Sequence, residues 1–582
     1  MFAYDHDPHV TLDWLRRELG VHFNHQRERA DGEKPNLPTR LDPDVISRAA
    51  FARRATRRRD NLSGFRDSAL DWMLLEGGVE LTSGRRRALL SRLDRPDYEG
   101  LVELVLADLR TKESRGFGEF NIHRALLRVQ MDALLERKPD LRTNSNFIHA
   151  YLPKLAPGAD ADSHDPQVRQ AHLRRMWAFV EDLAPAHNSL KAHVLFALLD
   201  HQRKAGRYDR ALFQTYVKLP RPTPYANPKY LQRDDLRRHH VNLGQDFAAI
   251  TSCQPIRDDT GLVRDYLLRL LVDEDDVQPW TEWLRDGFVK PLMAEAKIVS
   301  GAANPERWAS MISPADYQSL RDRVDVDLAL VNPRKFAVDD EVKLLVDVKN
   351  VEKLLVKVYE VNAFNVYLAT GQEVGTALPL DGLVAGSERQ YDFEEPPFRR
   401  VRREFTFPEL AGKRGVWMIE LIGGGRSSRA LVRKGGLHYL SRPGVGGVVL
   451  SILNERDQAV PGATVWLAGR EYRADEAGGI AIPYSTKPGR RPVILRAPDG
   501  FASLAHLAHA AENYTLTAGF FVNREALRLG GEATLLVRPD LRINGVIAPL
   551  DILEQVKLTI TSANLDGVRT TQEVPEFVLD PD

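Results

Sequence analysis

Apolar positions along this chain follow one period up to about residue 323 and another beyond it. In the first stretch they recur three and four residues apart, the spacing of a helix with one buried stripe. RALLSRLDRPDYEGLVELVLADLR (87–110) predicts two short amphipathic helices broken at Arg95-Pro96. AHVLFALLDHQRKAGRYDRALFQTYVKL (192–219) predicts a further pair hinged at Gly206. Ser83, Asn188 and Asp259 stand where a side-chain oxygen can cap the following helix. GRYDRAL is like half of a tetratricopeptide repeat, but it does not recur at a fixed interval, so no regular repeat is expected.

From Asp325 the period becomes two. VKLLVDV (342–348), KLLVKVYEV (353–361), REFTF (403–407), GVWMIELI (415–422) and ATLLVRP (533–539) alternate or run apolar over strand lengths. Gly, Pro, Asp and Asn punctuate the gaps, the rhythm of antiparallel sandwiches. Phe336-Ala-Val-Asp-Asp-Glu341-Val-Lys-Leu-Leu-Val346 matches Leu527-Arg-Leu-Gly-Gly-Glu532-Ala-Thr-Leu-Leu-Val537 in pattern, so one sandwich type is expected twice. Between them, residues 447–484 have their own succession of strand, polar turn, Pro461-Gly462 and a second turn at Gly478-Gly479.

The expected architecture is therefore multidomain α plus β. A helical array or bundle over 1–323, with an inner break near 155–165, precedes antiparallel β-sandwiches at 325–437, 438–513 and 514–582, the last read as truncated.

Composition narrows the function. The 582 residues are 43% hydrophobic and 28% charged, as in a globular protein. Lys+Arg (81) equals Asp+Glu (81), so no global field favours nucleic acid or anionic lipid. The lone Cys253 excludes an internal disulfide and any zinc site needing several thiolates. The opening MFAYDHDPHVTLDW lacks the basic-then-apolar run of a secretory signal, and no window approaches ~20 apolar residues. The chain reads as a segment of a longer protein, which leaves its compartment unknown.

The most enzyme-like stretch is LIGGGRSSRALV (421–432). A phosphate-cradling loop needs a preceding strand and a following helix whose amides point at the anion. The strand is present, but SRALVRKGGLHYL returns to alternation and offers no Lys-Ser or Lys-Thr pair. Gly423, Gly424 and Gly425 are better read as a hairpin turn, where positive φ is required.

Other candidates receive bland readings. His506, His509 and Glu512 fall at three-residue steps and read as a linker rather than a metal set, and His22 and His25 likewise. The acidic runs Asp160-Ala-Asp162-Ser-His-Asp165 and Asp273–Asp276 lack the glycine and distal glutamate of a calcium loop. Arg53-Arg54, Arg57–Arg59 and Arg85–Arg87 read as solvated helix faces rather than a nucleic-acid patch. Cys253 reads as a small buried side chain rather than a nucleophile, although His239 and His240 are near in sequence.

Four stretches carry a family resemblance: PRKFAVDDEVKLLVDVKNVEKLLVKVYEVN, FPELAGKRGVWMIELIGGGRSSRALV, VPGATVWLAGREYRADEAGGIAIPY and NREALRLGGEATLLVRP. They resemble the immunoglobulin-like macroglobulin (MG) domains of bacterial alpha-2-macroglobulin-like proteins, the third also being similar to carboxypeptidase-regulatory-like sandwiches. The resemblance implies a shell of tandem domains that traps a protease, an endopeptidase-inhibiting role and an extracytoplasmic location. The Cys-Gly-Glu-Gln thioester tetrapeptide of many members is absent, and Cys253-Gln254-Pro255 does not replace it. The helical region also lies outside the usual family layout.

The chain is expected to be a non-enzymatic scaffold with a protein partner, a protease if the resemblance holds, and no nucleic acid. No catalytic, cofactor-binding or metal-ligating residue is assigned. Two alternatives stand beside it: an enzyme with its site near Trp177, His187 or Trp280 in the helical half, and a surface-adhesion sandwich.

Overall fold

A computed structural model describes residues 82–579 except 99, 163–164, 529, 564–566 and 576; His22, His25 and Arg53–Arg59 lie outside the described residues. The chain divides into two compact units, Met1–Lys297 with Ala302–Ile312, and Ile298–Gly301 with Ser313–Asp582.

The first unit is helical. Helices α1 (Ser83–Leu90) and α2 (Leu101–Leu109) flank the expected break at Arg95-Pro96. Later come α3 (Pro166–Val180), α4 (Asn188–Lys204), α5 (Arg210–Lys218) and α6 (Thr260–Leu270). Gly206, at φ 72°, turns the chain between α4 and α5 as the pattern required. Two caps fall one residue early: Thr82, not Ser83, caps α1, and His187, not Asn188, precedes α4. Asn188 instead donates its side-chain N–H to the His239 carbonyl.

Asp259 does precede α6, but its carboxylate does not cap it. It accepts from Arg221 Nη1 (2.6 Å), Tyr216 OH (2.6 Å) and Tyr225 OH (2.5 Å), and the Arg221 guanidinium lies 3.8 Å from the Tyr216 ring centroid. Both charged side chains are at most 2% exposed. A charge buried that deeply is stable only when its lone pairs are filled by strong donors, which outcompete a backbone amide. Asp258 takes over the capping, its carboxylate accepting from Thr260 N at 2.9 Å.

The second unit begins with α7 (Pro314–Asp322), capped by Ser313, and then turns to strands. The first sandwich pairs a three-stranded sheet, β1-β3-β6, with a five-stranded one, β2-β8-β7-β4-β5. Its strands are β1 (Asp325–Leu328), β2 (Lys335–Phe336), β3 (Lys343–Lys349), β4 (Lys353–Val361), β5 (Ser387–Asp392), β6 (Arg400–Thr406), β7 (Gly415–Gly423) and β8 (Arg426–Lys434). Leu354, Val356 and Val358 of β4 and Trp417, Ile419 and Leu421 of β7 meet Leu344, Val346 and Val348 of β3 in the core between the sheets. All these ladders are antiparallel except the short β2–β8 contact, which is parallel. An α-helix of eight residues, α8 (Ala363–Thr370), interrupts the β pattern.

The second sandwich comprises β9 (Leu437–Gly444), β10 (Gly447–Asn454), β11 (Thr464–Leu467), β12 (Arg470–Arg473), β13 (Ile480–Ile482), β14 (Gly489–Arg496) and β15 (Ala502–His509), in sheets β13-β10-β9 and β12-β11-β14-β15. Leu450, Ile452, Val465, Leu467, Val493 and Leu495 fill its core. The remaining strands form the sheet β16-β17-β18 from Tyr514–Val522, Leu535–Ile543 and Val546–Ile547, and the hairpin β19-β20 from Leu558–Ala563 and Arg569–Val574. The repeated pattern holds only partly. It leads into β3 and β17 alike, yet Phe336 is buried while Leu527 is 62% exposed.

The helical unit also buries imidazoles. His123 is fully inaccessible, stacks 4.9 Å from Phe117 and accepts a hydrogen bond from Gly118 N at Nδ1. Burial pushes its pKa down to about 4, against the pull of Asp108 and Glu119, and burial with Arg169 and Arg175 nearby does the same at His172. The folded state therefore binds fewer protons than the unfolded one. Stability is full above pH 6.5 and falls as pH drops toward 4, by roughly 3 kcal/mol for His123 alone. Urea unfolding at pH 7.5 and at pH 4.5 is expected to show this loss, and His123→Phe should remove much of it; a pH-independent midpoint contradicts the assignment.

Candidate functional site

The triple-glycine stretch is a turn. Gly423 pairs with Arg426, and Gly424 (φ 55°) and Gly425 (φ 76°) close the β7–β8 hairpin. Positive φ at both central residues is the geometry that matches strand twist in a two-residue hairpin. The glycines also admit close neighbours. A Cβ on Gly423 would lie 2.6 Å from Val351 Cγ1, and one on Gly424 2.9 Å from Val324 Cγ1, whereas Gly425 faces open space.

Val324 belongs to the corner where α7 gives way to β1. There Lys349, 1% exposed, donates from Nζ to the Arg323 carbonyl at 2.6 Å and the Arg321 carbonyl at 3.3 Å. Asn350 Nδ2 donates to the Arg321 and Asp322 carbonyls. A cation and an amide thus satisfy the free carbonyls at the negative end of α7 and fasten it to the sandwich.

A second constellation spans the first two sandwiches. Asn362 caps α8 by accepting from Asn365 N at 3.1 Å, and Gly371 at φ 63° ends it. The helix fits between the outer faces of two sheets. Tyr359, Val361, Val416 and Met418 come from the first sandwich, Ile494 and Ala502 from the second, and Ala363 and Tyr367 from α8 itself, all in one buried cluster. Phe364 meets Trp466 edge-on at 5.5 Å, and the Arg496 guanidinium lies 4.5 Å from the centroid of the Phe364 ring. Polar contacts rim the seam: Arg414 holds Glu455 through two bonds of 3.0 and 2.8 Å, and Arg456 holds Asp339 at 2.9 Å. A cleft of about 1590 Å³ runs along it, bordered by Lys335, Glu360, Lys413 and Asp499. Cations and carboxylates alternate along it, Arg433 pairing with Glu373 at 2.7 Å and Tyr367 OH donating to the same carboxylate at 3.2 Å.

The remaining candidates are scattered. Cys253 is buried, its thiol pushed up by burial, with Thr251 O and Arg169 as neighbours. His506 and His509 lie not in a linker but on β15, where positions three apart face opposite ways; His509 Nε2 bonds the Pro483 carbonyl. Asp165 caps α3 by accepting from Gln167 N, Asp276 accepts from Gln278 N in the turn before a short helix, and Glu274 pairs with Arg210. Arg87 is spent on Asp108 and Glu119 inside the helical unit. Trp177 and Trp280 are core residues, and His187 sits at a helix start with its pKa lowered by burial and by His149 and Lys191. Among the described residues no three His, Cys, Asp or Glu side chains gather as a metal site would require.

A helical region followed by immunoglobulin-like sandwiches is thus the class of this protein, and comparison with known proteins agrees. Three family models match: the Actin-binding protein F N-terminal domain over 45–324, the AbpF first immunoglobulin-like domain over 354–435 and the AbpF third immunoglobulin-like domain over 523–582. Actin-binding protein F of Dictyostelium discoideum is 31% identical over 488 residues, 81% of this chain and 20% of that protein. The chain therefore spans about a fifth of the length of the curated relative it matches.

Among solved structures, an Escherichia coli alpha-2-macroglobulin fragment spanning MG0-NIE-MG1 is 16% identical, covering 32% of this chain and 64% of that one at a TM-score of 0.23. A titin Z1Z2 tandem is 12% identical over 32% of this chain and 95% of that one, at 0.17. The three matched models are all of Actin-binding protein F, so the macroglobulin expectation, with its protease partner and bacterial source, is left without family support.

Two measurements probe the site. Gly424→Val should cost about 2–3 kcal/mol through backbone strain and the clash with Val324, while Gly425→Asn, at an open position that tolerates positive φ, should stay within about 0.5 kcal/mol. Equal losses in urea unfolding would contradict the packing role. Phe364→Ala should lower the melting of both sandwiches together in calorimetry, because α8 is shared; destabilising only the first would show that the seam does not couple them.

Proposed function

We propose that this chain is a non-catalytic, actin-associated scaffold segment, in which the helical region carries the contact with actin and the sandwiches serve as a stiff spacer. The observation that carries the reading is the 31% identity to Actin-binding protein F, extending across helices and sandwiches alike. The helical region matches that protein's N-terminal domain, the first sandwich its first immunoglobulin-like domain and residues 523–582 its third. The shared core at α8 supports the spacer role, because two sandwiches joined through buried apolar area resist bending at their linker. Equal numbers of cationic and anionic residues (81 and 81) make local patches, not a global field, the means of recognition.

Co-sedimentation with actin filaments tests this directly. The full chain is expected to pellet saturably with filaments, and a fragment from residue 325 onward to pellet far less. A chain that stays in the supernatant at up to ~50 µM filament would remove actin as the partner.

A further inference from the structure

The seam between the first two sandwiches is held at two separate places. One is the apolar cluster around α8. The other is ionic and belongs to the turn between β10 and β11, where Glu455 and Arg456 stand side by side. Asn454 fixes that turn, its Oδ1 accepting from Arg456 N at 2.9 Å and from Gln458 N at 3.0 Å, with Asp457 at φ 58°. The two charges it presents meet opposite charges on the first sandwich, Glu455 meeting Arg414 and Arg456 meeting Asp339. Phe364 and Tyr367 of α8 line the cleft of about 1590 Å³ together with all four of these residues. Open space, and not packed side chains, therefore separates the two attachments.

The chain crosses from β8 to β9 at Gly435-Gly436. Gly435, at φ 80°, lies directly under the inner ion pair: a Cβ there would stand 3.0 Å from Arg414 Cγ and 3.1 Å from Glu455 Oε1. A glycine crossing, an apolar attachment on one side and an ionic one on the other are the parts of a hinge with a latch. The two attachments also respond differently to their surroundings. The cluster at α8 offers salt little to screen, whereas the outer pair, Arg456 at 69% and Asp339 at 77% exposure, is fully open to it. The inner pair, half as exposed or less, is screened less. We propose that the β10–β11 turn is an electrostatic latch, which sets the angle between the first two sandwiches and, when released, lets the second pivot about α8 and widen the cleft.

Spin labels at Gln390→Cys in the first sandwich and Glu476→Cys in the second, in the full chain carrying Cys253→Ser, report that angle as a distance between electron spins. At ~0.05 M salt one narrow distance is expected, and at ~1 M salt a second distance should gain about threefold in population. Asp339→Lys, at an exposed position, sets a lysine beside Arg456 and should populate the second distance at low salt. Glu455→Arg should do so by about tenfold, and adding Arg414→Glu should bring back the single distance, because opposite charges face each other again. Recovery by a second charge separates a released latch from a damaged sheet. A distance indifferent to salt and to Glu455→Arg would overturn the proposal and leave the angle to α8 alone. So would a second distance that the double variant does not remove.

Discussion

The structure of the β half depends on burying both faces of one sheet. Strands β4 and β7 present apolar residues inward, at Leu354, Val356, Ile419 and Leu421, and outward, at Tyr359, Val361, Val416 and Met418. The inward set is met by β3 and β6 in the ordinary way of a sandwich. The outward set would leave a large exposed apolar patch unless something covered it. Helix α8 does so, and because its other side reaches Ile494, Ala502 and Trp466, covering the first sandwich necessarily engages the second. The joining of the two sandwiches is thus a consequence of two-faced burial, not of the linker itself.

Buried charge follows a matching logic. Lys349 and Lys434 are at most 1% exposed, and each directs its ammonium at backbone carbonyls, those of Arg321 and Arg323 for one and of Asp340 for the other. In the helical unit, Arg221 and Asp259 satisfy one another with help from two tyrosines. Such arrangements add little net stability over apolar packing, but they penalise any alternative in which a partner is missing. They select one arrangement of α7 on its sheet and one of the loops around α6.

How much of this could be read in advance varied with the strength of local signals. β4 was legible to the residue and β7 to within one, because their apolar content runs strand-long between turn residues. Their two-faced burial was legible too: GVWMIELIG is apolar nearly throughout instead of alternating, the mark of a strand covered on both sides. α8 was not foreseen, since AFNVYLAT fits either period; its signals were Asn362 and Gly371, a cap oxygen and a left-handed terminus. Asp259 was foreseen as a cap because proximity in sequence is visible, while the tyrosines and arginine that claim it are 34 to 43 residues away. β15 was misread because ASLAHLAH holds no β-branched residue, so its place in the sheet comes from its neighbour β14 and not from propensity.

The glycine hairpin shows why a motif's context outweighs its letters. A nucleotide loop and a tight hairpin make the same local demand, backbone where a side chain would collide. They differ in what approaches: an anion in one case, a neighbouring part of the chain in the other. Here the approaching groups are the apolar side chains of Val324, Val351 and Leu354 and the carbonyl oxygens of Lys353 and Asn350, which would repel an anion, and β8 continues where a helix would have to begin. An anion placed there would have to displace apolar contacts without gaining a set of converging amides. The same close approach brings the β1 corner against the hairpin, so Gly423 and Gly424 serve the attachment of α7 to the first sandwich, a packing task and not a ligand-binding one.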